Sequence, residues 1–422
     1  MNLNNVWYEA TLTRRKNYAA LQEDSNCDVA IIGGGFTGVS AAYHLAKAGL
    51  NVILLEQCKI GSGASGRNGG QLGTGHRLWL EDLEKAYGFE KTKALFNLAE
   101  HAKKHLLNFI TDNNLDVDYV NGHISAIHKP RFKSAYQDHI ITMQHFGYDK
   151  LSFLDKEQLA KHLGSRRYSG GILDKGTGHL NPLKLLLSTA ELASSAGAKI
   201  YENTYVSNIN IVDGKILLKH KNIAVKAEHL LLATNGYTGN LESKSAARVM
   251  PIRSYVAATE ILDDEFNILS YGESVDDSRF VVRYFKKTPQ GNLLFGGKEA
   301  YTKNDPKDLA KKMSKQIAEV YPQLKKVKIT HAWGGNVAIT ISRMPYVQQV
   351  RHNVYYIGGY SGHGVMLANF FGYLYSKKIT KSYDKYFDLI QELKTFPFPG
   401  GRYLQNPLLF LAMTWYALLD RI

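Results

Sequence analysis

Residues 28–56 constrain the fold of this chain more than any other segment. An apolar run, DVAII, is followed by Gly33, Gly35 and Gly38 in the spacing GxGxxG, and a second apolar run ends in Glu56. In a strand–turn–helix–strand unit, the first glycine permits a tight turn and the second lets the backbone approach a pyrophosphate. The third permits close packing of helix against strand, and the helix start presents free N–H groups to phosphates.

The position of Glu56 adds to this pattern. It follows the glycines by about twenty residues, where a carboxylate accepts a hydrogen bond from a ribose 2′-hydroxyl and would repel a 2′-phosphate. An ordinary βαβ unit with a glycine-rich turn would not be expected to combine all three glycines with an acidic residue at the end of its second strand. The segment therefore predicts a dinucleotide site in a Rossmann-type unit, and leaves open which dinucleotide is bound.

Size and composition indicate a globular protein. The chain has 422 residues, of which 44% are hydrophobic and 21% charged, enough for two or three domains. The N-terminal segment has no apolar core followed by a cleavage site, and Cys27 and Cys58 are the only cysteines. We therefore expect a cytoplasmic protein without a secretory signal.

Two further features bear on partners. The apolar run at 407–419 is shorter than the roughly 20 residues that span a bilayer, so we expect a docked helix, with peripheral membrane or dimer contact as the alternative. The net charge is +14, but the basic residues are scattered in short pairs such as Lys286-Lys287. This pattern favours a solvated basic surface over a nucleic-acid site.

Two more glycine motifs lie further along the chain. The run IGSGASGRNGGQLGTG at 60–75 follows the Glu56 strand directly, at the sheet edge where doubly wound folds bind ligands. Near the C-terminus, NVYYIGGYSGHGVMLANFF repeats the order strand, glycine turn and helix. Between them, 230–233 predicts a third buried parallel strand, and 250–300 predicts alternating strands that suit a substrate domain.

These motifs together resemble a known family. DVAIIGGGFTGVSAAYHLAKAG, IGSGASGRNGGQ, ATNGY and IGGYSGHGV resemble the FAD-dependent D-amino-acid oxidase and sarcosine oxidase superfamily, and within it the γ-glutamylputrescine oxidase branch. The likeness covers nearly the whole chain, including ISRMP at 341–345 and FPFPGGR at 396–402. It implies an α/β (α+β) two-domain fold, with a Rossmann-type FAD-binding domain and a β-sheet-based substrate domain. We assign 1–85, 151–237 and 331–422 to the former, and 86–150 and 238–330 to the latter.

The resemblance implies a role for each matching position. The ADP half of FAD would be held by Gly33, Gly35, Gly38 and Glu56, with Val206 at the adenine and Gly236 closing around the same half. The pyrophosphate and flavin ring would be lined by Ser65, Arg67, Asn68, Gly70 and Gln71, and the N1/O2 edge of the flavin would face Gly362, His363, Gly364 and Val365. Some relatives tether FAD through a cysteine, but 333–344 contains none. We therefore expect FAD to be bound non-covalently, and no metal site is predicted.

The implied reaction is oxidation of a primary amine, γ-glutamylputrescine or a related polyamine derivative, to an aldehyde, ammonia and hydrogen peroxide. FAD supplies the electron chemistry, and dioxygen or another acceptor reoxidises it. The candidate catalytic residues are His363, Arg343, which would pair with a substrate carboxylate, and Lys298, which would assist dioxygen. Some relatives bind a substrate carboxylate with a lysine just after GHG, where this chain has Met366, and this difference disfavours an α-amino-acid substrate.

Two alternatives stay open from the sequence. One is an oxidase or dehydrogenase of N-methyl or imino amino acids. The other is a tRNA-modifying flavoprotein, because the superfamily includes such enzymes and the chain is basic; the absence of a recognisable RNA module argues against it. Tyr255, Tyr284 and Tyr360 are candidates for aromatic walls around an amine.

Overall fold

The computed structural model describes residue 3 and residues 5–300, 305–382 and 384–400, without the side chains of 298–300. The strands are β1 (Ser25–Ile32), β2 (Val52–Leu55), β3 (Val120–Ala126), β4 (Leu151–Leu154), β5 (Gly171–His179), β6 (Lys199–Tyr201), β7 (Asn208–Val212), β8 (Lys215–His220), β9 (Ile223–Leu232), β10 (Met250–Ile261), β11 (Ser274–Asp277), β12 (Tyr284–Lys287), β13 (Asn292–Ala300), β14 (Ile329–Ile339), β15 (Tyr346–Arg351) and β16 (Val354–Gly358).

The α-helices are α1 (Trp7–Ala10), α2 (Phe36–Lys47), α3 (Leu80–Tyr87), α4 (Phe89–Asp112), α5 (Lys133–His145), α6 (Lys156–Leu163), α7 (Pro182–Ser195), α8 (Ser243–Ala246), α9 (Leu309–Val320), α10 (Gly364–Ile379) and α11 (Lys385–Gln391). Short 3-10 turns occur at Ala64–Gly66, Pro130–Phe132, Asn235–Tyr237, Asp264–Phe266 and Pro322–Leu324.

The first sheet has the strand order β15-β16-β9-β1-β2-β6, with β8 pairing β9 and β7 pairing β8. Strands β16, β9, β1, β2 and β6 run parallel. Alternate side chains of β1 enter two different cores. Val29 and Ile31 pack on the helical side with α2 and α10, and Ala30 and Ile32 pack on the opposite face with the β7–β8 hairpin. Burial on both faces explains why the strand is continuously apolar.

The second sheet has the strand order β14-β10-β13-β12-β11-β3-β5-β4. Its pairs are antiparallel except for β11 and β3, which run parallel. One face is covered by α9, whose Leu309, Met313 and Ile317 share a core with Tyr255 and Phe295. Polar residues of β3 and β11 lie on the wall of a large cleft.

The mixed α/β class and several predicted elements are confirmed. The strand predicted at 230–233 is the end of β9, and it runs parallel between β1 and β16. Asp213-Gly214, a residue pair typical of hairpin turns, joins β7 to β8, and both residues have positive φ. The turn at 289–291 joins antiparallel β12 and β13.

The segment 80–113 is helical, and Gly88 separates α3 from α4 because its φ of 77° cannot continue a helix. Val206, which the resemblance places at the adenine, lies in the connection between β6 and β7, where it is buried.

The division into two domains remains a prediction. The sheets differ from its boundaries in places, since β4, β5 and β14 fall in the segments assigned to FAD binding and yet pair in the second sheet. Among the described residues, no helix is both long and apolar enough to cross a membrane. The predicted docked helix at 407–419 lies outside the described residues.

Candidate active site

The glycine turn after β1 is built on close backbone contacts. Gly33 has a φ of 112°, and its N–H donates to the Leu55 carbonyl at 3.0 Å. A Cβ on Gly38 would lie 2.0 Å from the Gly33 carbonyl oxygen, so only glycine allows α2 to pack this closely on the turn. Gly35 is the N-cap of α2 and has extended backbone. The three glycines therefore have the geometry that their spacing predicts.

Glu56 holds the turn from the end of β2. Its carboxylate accepts the Gly34 N–H at 2.7 Å and the Cys58 N–H at 2.9 Å. Burial raises the pKa of Glu56, and these two N–H donors oppose that rise. The carboxylate lies on the cleft wall, where a ribose hydroxyl could reach it.

The loop that contains Ser65, Arg67 and Asn68 is braced by its own side chains. Ser65 Oγ accepts the Phe36 N–H at 3.0 Å, at the start of α2. Asn68 Nδ2 donates to the carbonyls at positions 64 and 65, each at 3.0 Å, and Asn68 Oδ1 accepts the Gly70 N–H at 2.8 Å. Arg67 Nε donates to the carbonyl at position 62 at 2.8 Å. These contacts preorganise the loop against the helix start.

The same loop is joined to the second sheet. Gly70 has a φ of 75°, and its carbonyl accepts the Leu180 N–H at 2.8 Å. A Cβ on Gly70 would lie 1.9 Å from the Leu180 carbonyl oxygen. Gln71 Nε2 donates to the Val275 carbonyl at 2.9 Å, which ties the loop to β11.

A second helix start faces the first. His363 is the N-cap of α10, after a turn in which Ser361 and Gly362 have φ values of 53° and 103°. The Tyr360 hydroxyl lies 2.6 Å from Thr37 Oγ1, so the turn before α10 is bonded to the first turn of α2. Two helix N-termini therefore point toward one region, which favours an anionic or electron-rich ligand there.

These elements enclose one cleft of about 790 Å³. Of the residues predicted to bind the ADP half of FAD, four lie on the wall of this cleft: Gly33, Gly35, Glu56 and Val206. All the residues predicted at the pyrophosphate and the flavin also lie on its wall: Ser65, Arg67, Asn68, Gly70, Gln71, Gly362, His363, Gly364 and Val365. Arg343, Tyr284 and Tyr360 also line it.

Several predicted residues lie elsewhere. Gly38 is behind the turn, and Gly236 faces Pro251 and Ala338 instead of the cleft. Tyr255 is fully buried in the second-sheet core, so it is not an aromatic wall of the cleft. Lys298 lies in β13 opposite Tyr255, and its side chain is outside the described residues.

Met366 is also not on the cleft wall. It is fully buried and packs in the core around α2 and α10. Its side chain therefore does not face a substrate in this structure, and its identity says little about whether a substrate carboxylate is accepted.

His363 is a neutral imidazole on the cleft wall. Burial, together with smaller effects of the charges of Arg77 and His76, lowers its pKa to about 3. Its Nδ1 is buried and has no hydrogen-bond partner in the part of the chain that the structure describes. A neutral imidazole with an unsatisfied ring nitrogen is suited to accept a hydrogen bond from a ligand.

A polar group on β3 and β11 was missed from the sequence. His123 Nε2 lies 3.4 Å from Asp276 Oδ1, and His123 Nδ1 lies 2.9 Å from Ser274 Oγ. Burial disfavours the charged forms, but the pairing outweighs it: the pKa of His123 is raised and that of Asp276 is lowered. The available signal was the segment GHISA, where the polar His123 and Ser125 alternate with apolar residues, as they do in a strand with one polar face.

Fold and cleft together define a class. A parallel sheet with a GxGxxG turn, covered across one cleft by a second sheet, is the architecture of a dinucleotide-dependent oxidoreductase. The chain belongs to the FAD-dependent oxidoreductase family DAO, whose model matches residues 28–377. It is therefore an FAD-dependent oxidoreductase. The residues fit this cofactor, because two helix starts and a glycine cradle without side chains line the same cleft.

Relatives extend over the whole length. The chain is 47% identical over 417 residues to a probable oxidoreductase, OrdL, of Rhizobium meliloti (strain 1021), covering 98% of this chain and 97% of the relative. It is 32% identical over 419 residues to gamma-glutamylputrescine oxidoreductase of Escherichia coli (strain K12), covering 99% and 98%. Glycine oxidase from Geobacillus kaustophilus has a similar structure, with a TM-score of 0.75 at 19% identity, covering 88% of this chain and 100% of that one.

Proposed function

We propose that this enzyme oxidises a primary amine, γ-glutamylputrescine or a related polyamine derivative, to the aldehyde, ammonia and hydrogen peroxide. The observation that carries the proposal is the single cleft that connects the Gly33 turn to His363 and to the polar group on β3 and β11. Similarity to the E. coli gamma-glutamylputrescine oxidoreductase supports the choice of substrate. We place the reaction in putrescine breakdown and, because the chain has only two cysteines, in the cytoplasm.

We further propose how the chain holds FAD. The Gly33–Gly35 turn and the start of α2 would bind the pyrophosphate, and Glu56 would accept a ribose hydroxyl. Ser65 and Asn68 would keep their loop against the flavin, and the start of α10 would face its electron-rich edge. When bound, FAD takes up two electrons and hydrogen from the carbon that bears the nitrogen.

The amine must lose its ammonium proton before oxidation. We propose that the enzyme binds the amine after this proton has been lost, and that His363 Nδ1 accepts a hydrogen bond from the neutral amine, because the imidazole is neutral over the physiological pH range and lies on the cleft wall. Loss of hydrogen from the C–N unit leaves an imine, which water hydrolyses to aldehyde and ammonia. Dioxygen then takes the two electrons together with two protons and becomes hydrogen peroxide.

Arg343 is proposed to contact the acidic end of the substrate. It lines the cleft from a turn in which its own φ is 58°, so its position is set by the ISRMP backbone. A guanidinium can bind a carboxylate with two parallel hydrogen bonds. The proposed role of Lys298 in dioxygen reduction remains a prediction.

A second candidate is an oxidase or dehydrogenase of an N-methyl or imino amino acid. The observation in its favour is that Arg77, Arg279 and Arg343 all line the cleft, which offers several partners for a carboxylate beside the reacting nitrogen.

Anaerobic reduction separates these candidates. The FAD-loaded enzyme is mixed with γ-glutamylputrescine, putrescine, sarcosine or proline, and bleaching of the visible flavin absorbance is followed. We expect the fastest bleaching with γ-glutamylputrescine. Fast bleaching by sarcosine or proline alone would establish the second candidate, and no bleaching by any amine would refute both. Denaturing the same sample tests non-covalent binding, because the yellow colour should appear in the supernatant.

A further inference from the structure

Two paired strands place a row of polar side chains on one face of the second sheet. Strand β11 runs parallel to β3, with Ser274 opposite His123 and Asp276 opposite Ser125. The intervening Ile124 is fully buried in the core on the other face. Because side chains alternate across a strand, these four polar residues share one face. His123, Ser125 and Asp276 are on the wall of the cleft that also contains His363.

Asp276 is the accessible member of this group. Its side chain is 38% exposed, whereas that of its partner His123 is only 12% exposed. A carboxylate has about four lone-pair positions for hydrogen bonds. His123 approaches Oδ1, and Ser125 also hydrogen-bonds the carboxylate, so acceptor positions remain on the cleft side.

The charge of Asp276 is already balanced within the protein. Pairing with Asp276 favours the protonated form of His123. When His123 is protonated, the pair is neutral as a unit, although the carboxylate still accepts hydrogen bonds strongly. Such a group can accept a hydrogen bond from a neutral amine as well as from an ammonium. An isolated carboxylate would instead keep the amine protonated, which would prevent its oxidation.

Asp276 and His363 act on the same region. Both line the cleft, and although burial dominates in lowering the pKa of His363, the negative charge of Asp276 opposes that effect. The two side chains are thus within electrostatic reach of each other across the cleft. A nitrogen between them could donate one N–H to Asp276 and another to the unsatisfied Nδ1 of His363.

We propose that Asp276, supported by His123 and Ser125, is the subsite that receives the nitrogen of the amine to be oxidised. This inference rests on the proposed function and deepens it, because it assigns the recognition of the reacting amine to a residue outside the FAD motifs. The ligand class is a primary alkylamine.

The test uses a ligand that binds without reacting. tert-Butylamine has no hydrogen on the carbon that bears its nitrogen, so it cannot be oxidised to an imine. Its Kd is measured on FAD-loaded protein from the change in the flavin spectrum, with ligand-induced shifts in unfolding temperature as a second readout. The variants are Asp276→Asn, Asp276→Glu and, as a matched control, Asp82→Asn. Asp82 is an exposed carboxylate at the rim of the same cleft.

We expect Asp276→Asn to weaken binding of tert-butylamine by about 10- to 100-fold, the usual effect of a charge-assisted hydrogen bond. Asp276→Glu should recover part of this loss, and Asp82→Asn should stay within about twofold of wild type. Flavin content and unfolding temperature establish that each variant is folded. If Asp276→Asn fails to fold, Asp276→Glu carries the test through its intermediate Kd.

Three results would overturn the inference: no binding of tert-butylamine to wild type, an unchanged Kd in both Asp276 variants, or an equal loss in Asp82→Asn. The proposed function is decided separately, by reduction of wild-type flavin with γ-glutamylputrescine. Fast reduction with an unaffected Asp276→Asn would refute the subsite alone. Binding that depends on Asp276, without reduction by any amine, would refute the proposed function alone.

Discussion

The two ends of the cleft are built in different ways. At the nucleotide end, the shape comes from backbone: Gly33 and Gly38 contact each other within one turn, and Glu56 holds that turn through N–H groups. At the substrate end, it comes from side chains such as His123 and Ser274, which are 151 residues apart in sequence. A motif made by adjacent residues can be recognised locally, whereas one made by distant residues requires the correct pairing of β3 with β11.

This difference predicts different tolerance to substitution. The nucleotide end should lose FAD binding and stability when an atom is added to a glycine, because its contacts are between backbone atoms that cannot move independently. The substrate end should keep its fold when a side chain is replaced by one of similar size, and only binding or oxidation of the amine should be affected. Four experiments test this contrast, from the largest expected effect to the smallest.

Gly38→Ala should have the largest effect. The added Cβ would lie 2.0 Å from the Gly33 carbonyl oxygen, which forces α2 away from the turn. We expect loss of bound FAD and destabilisation of about 3 kcal/mol or more. Flavin content and thermal unfolding measure both effects. The control is Gly49→Ala, where φ is 85° but a Cβ would meet nothing within 4 Å, so we expect only the backbone cost of about 1–2 kcal/mol. If Gly38→Ala retained FAD, the predicted sensitivity of the nucleotide end to substitution would be wrong.

His363→Leu should slow flavin reduction by the amine about 30-fold while FAD stays bound, because it removes the hydrogen-bond acceptor proposed for the amine. Stopped-flow bleaching under anaerobic conditions measures the rate. His331→Leu, at a half-buried position on β14, should keep the wild-type rate. An unchanged rate in His363→Leu would exclude His363 as the acceptor.

Glu56→Gln should weaken FAD binding about tenfold, through loss of one charge-assisted hydrogen bond. Burial raises the pKa of Glu56, so in wild type the affinity for FAD should fall as pH drops through this raised value, because the protonated form accepts poorly. That pH dependence should be absent in Glu56→Gln. FAD titration across pH measures it, and Glu228→Gln, half exposed on β9, is the control. Equal pH profiles in wild type and Glu56→Gln would contradict the assignment.

Low pH should lower the free energy of unfolding, because the buried His76 would have to be protonated. His76 lies close enough to His363, at the substrate end, for its charge to lower the pKa of that residue. Burial lowers the pKa of His76 to about 4, below the value near 6.5 expected when the chain is unfolded. Between these two values the unfolded chain binds the extra proton, so the free energy of unfolding falls as pH drops from about 6.5 to 4.

His76→Gln should remove about 1 kcal/mol of this loss at about pH 6. Denaturant unfolding across pH measures the slope, and His101→Gln, at an exposed position on α4, is the control. A slope that is the same in His76→Gln and wild type would show that His76 does not contribute.

The sequence was most informative where function depends on local backbone. The β1 turn, the second glycine loop and the start of α10 all lie where their spacing predicts. Predictions for single side chains were less successful. Met366 and Tyr255 have plausible positions in sequence, but both face a core, since helix rotation and strand pairing decide which face a residue occupies.

By itself, the sequence determined the Rossmann-type unit, the dinucleotide cleft and the two helix starts that face it. Glycine spacing and apolar runs encode these features within about 30 residues, so local conformational limits are sufficient to specify them. Only the tertiary structure decided that His123 and Asp276 meet on the cleft wall. Their contact arises from the pairing of two strands far apart in the chain, and no local pattern specifies which strands become neighbours.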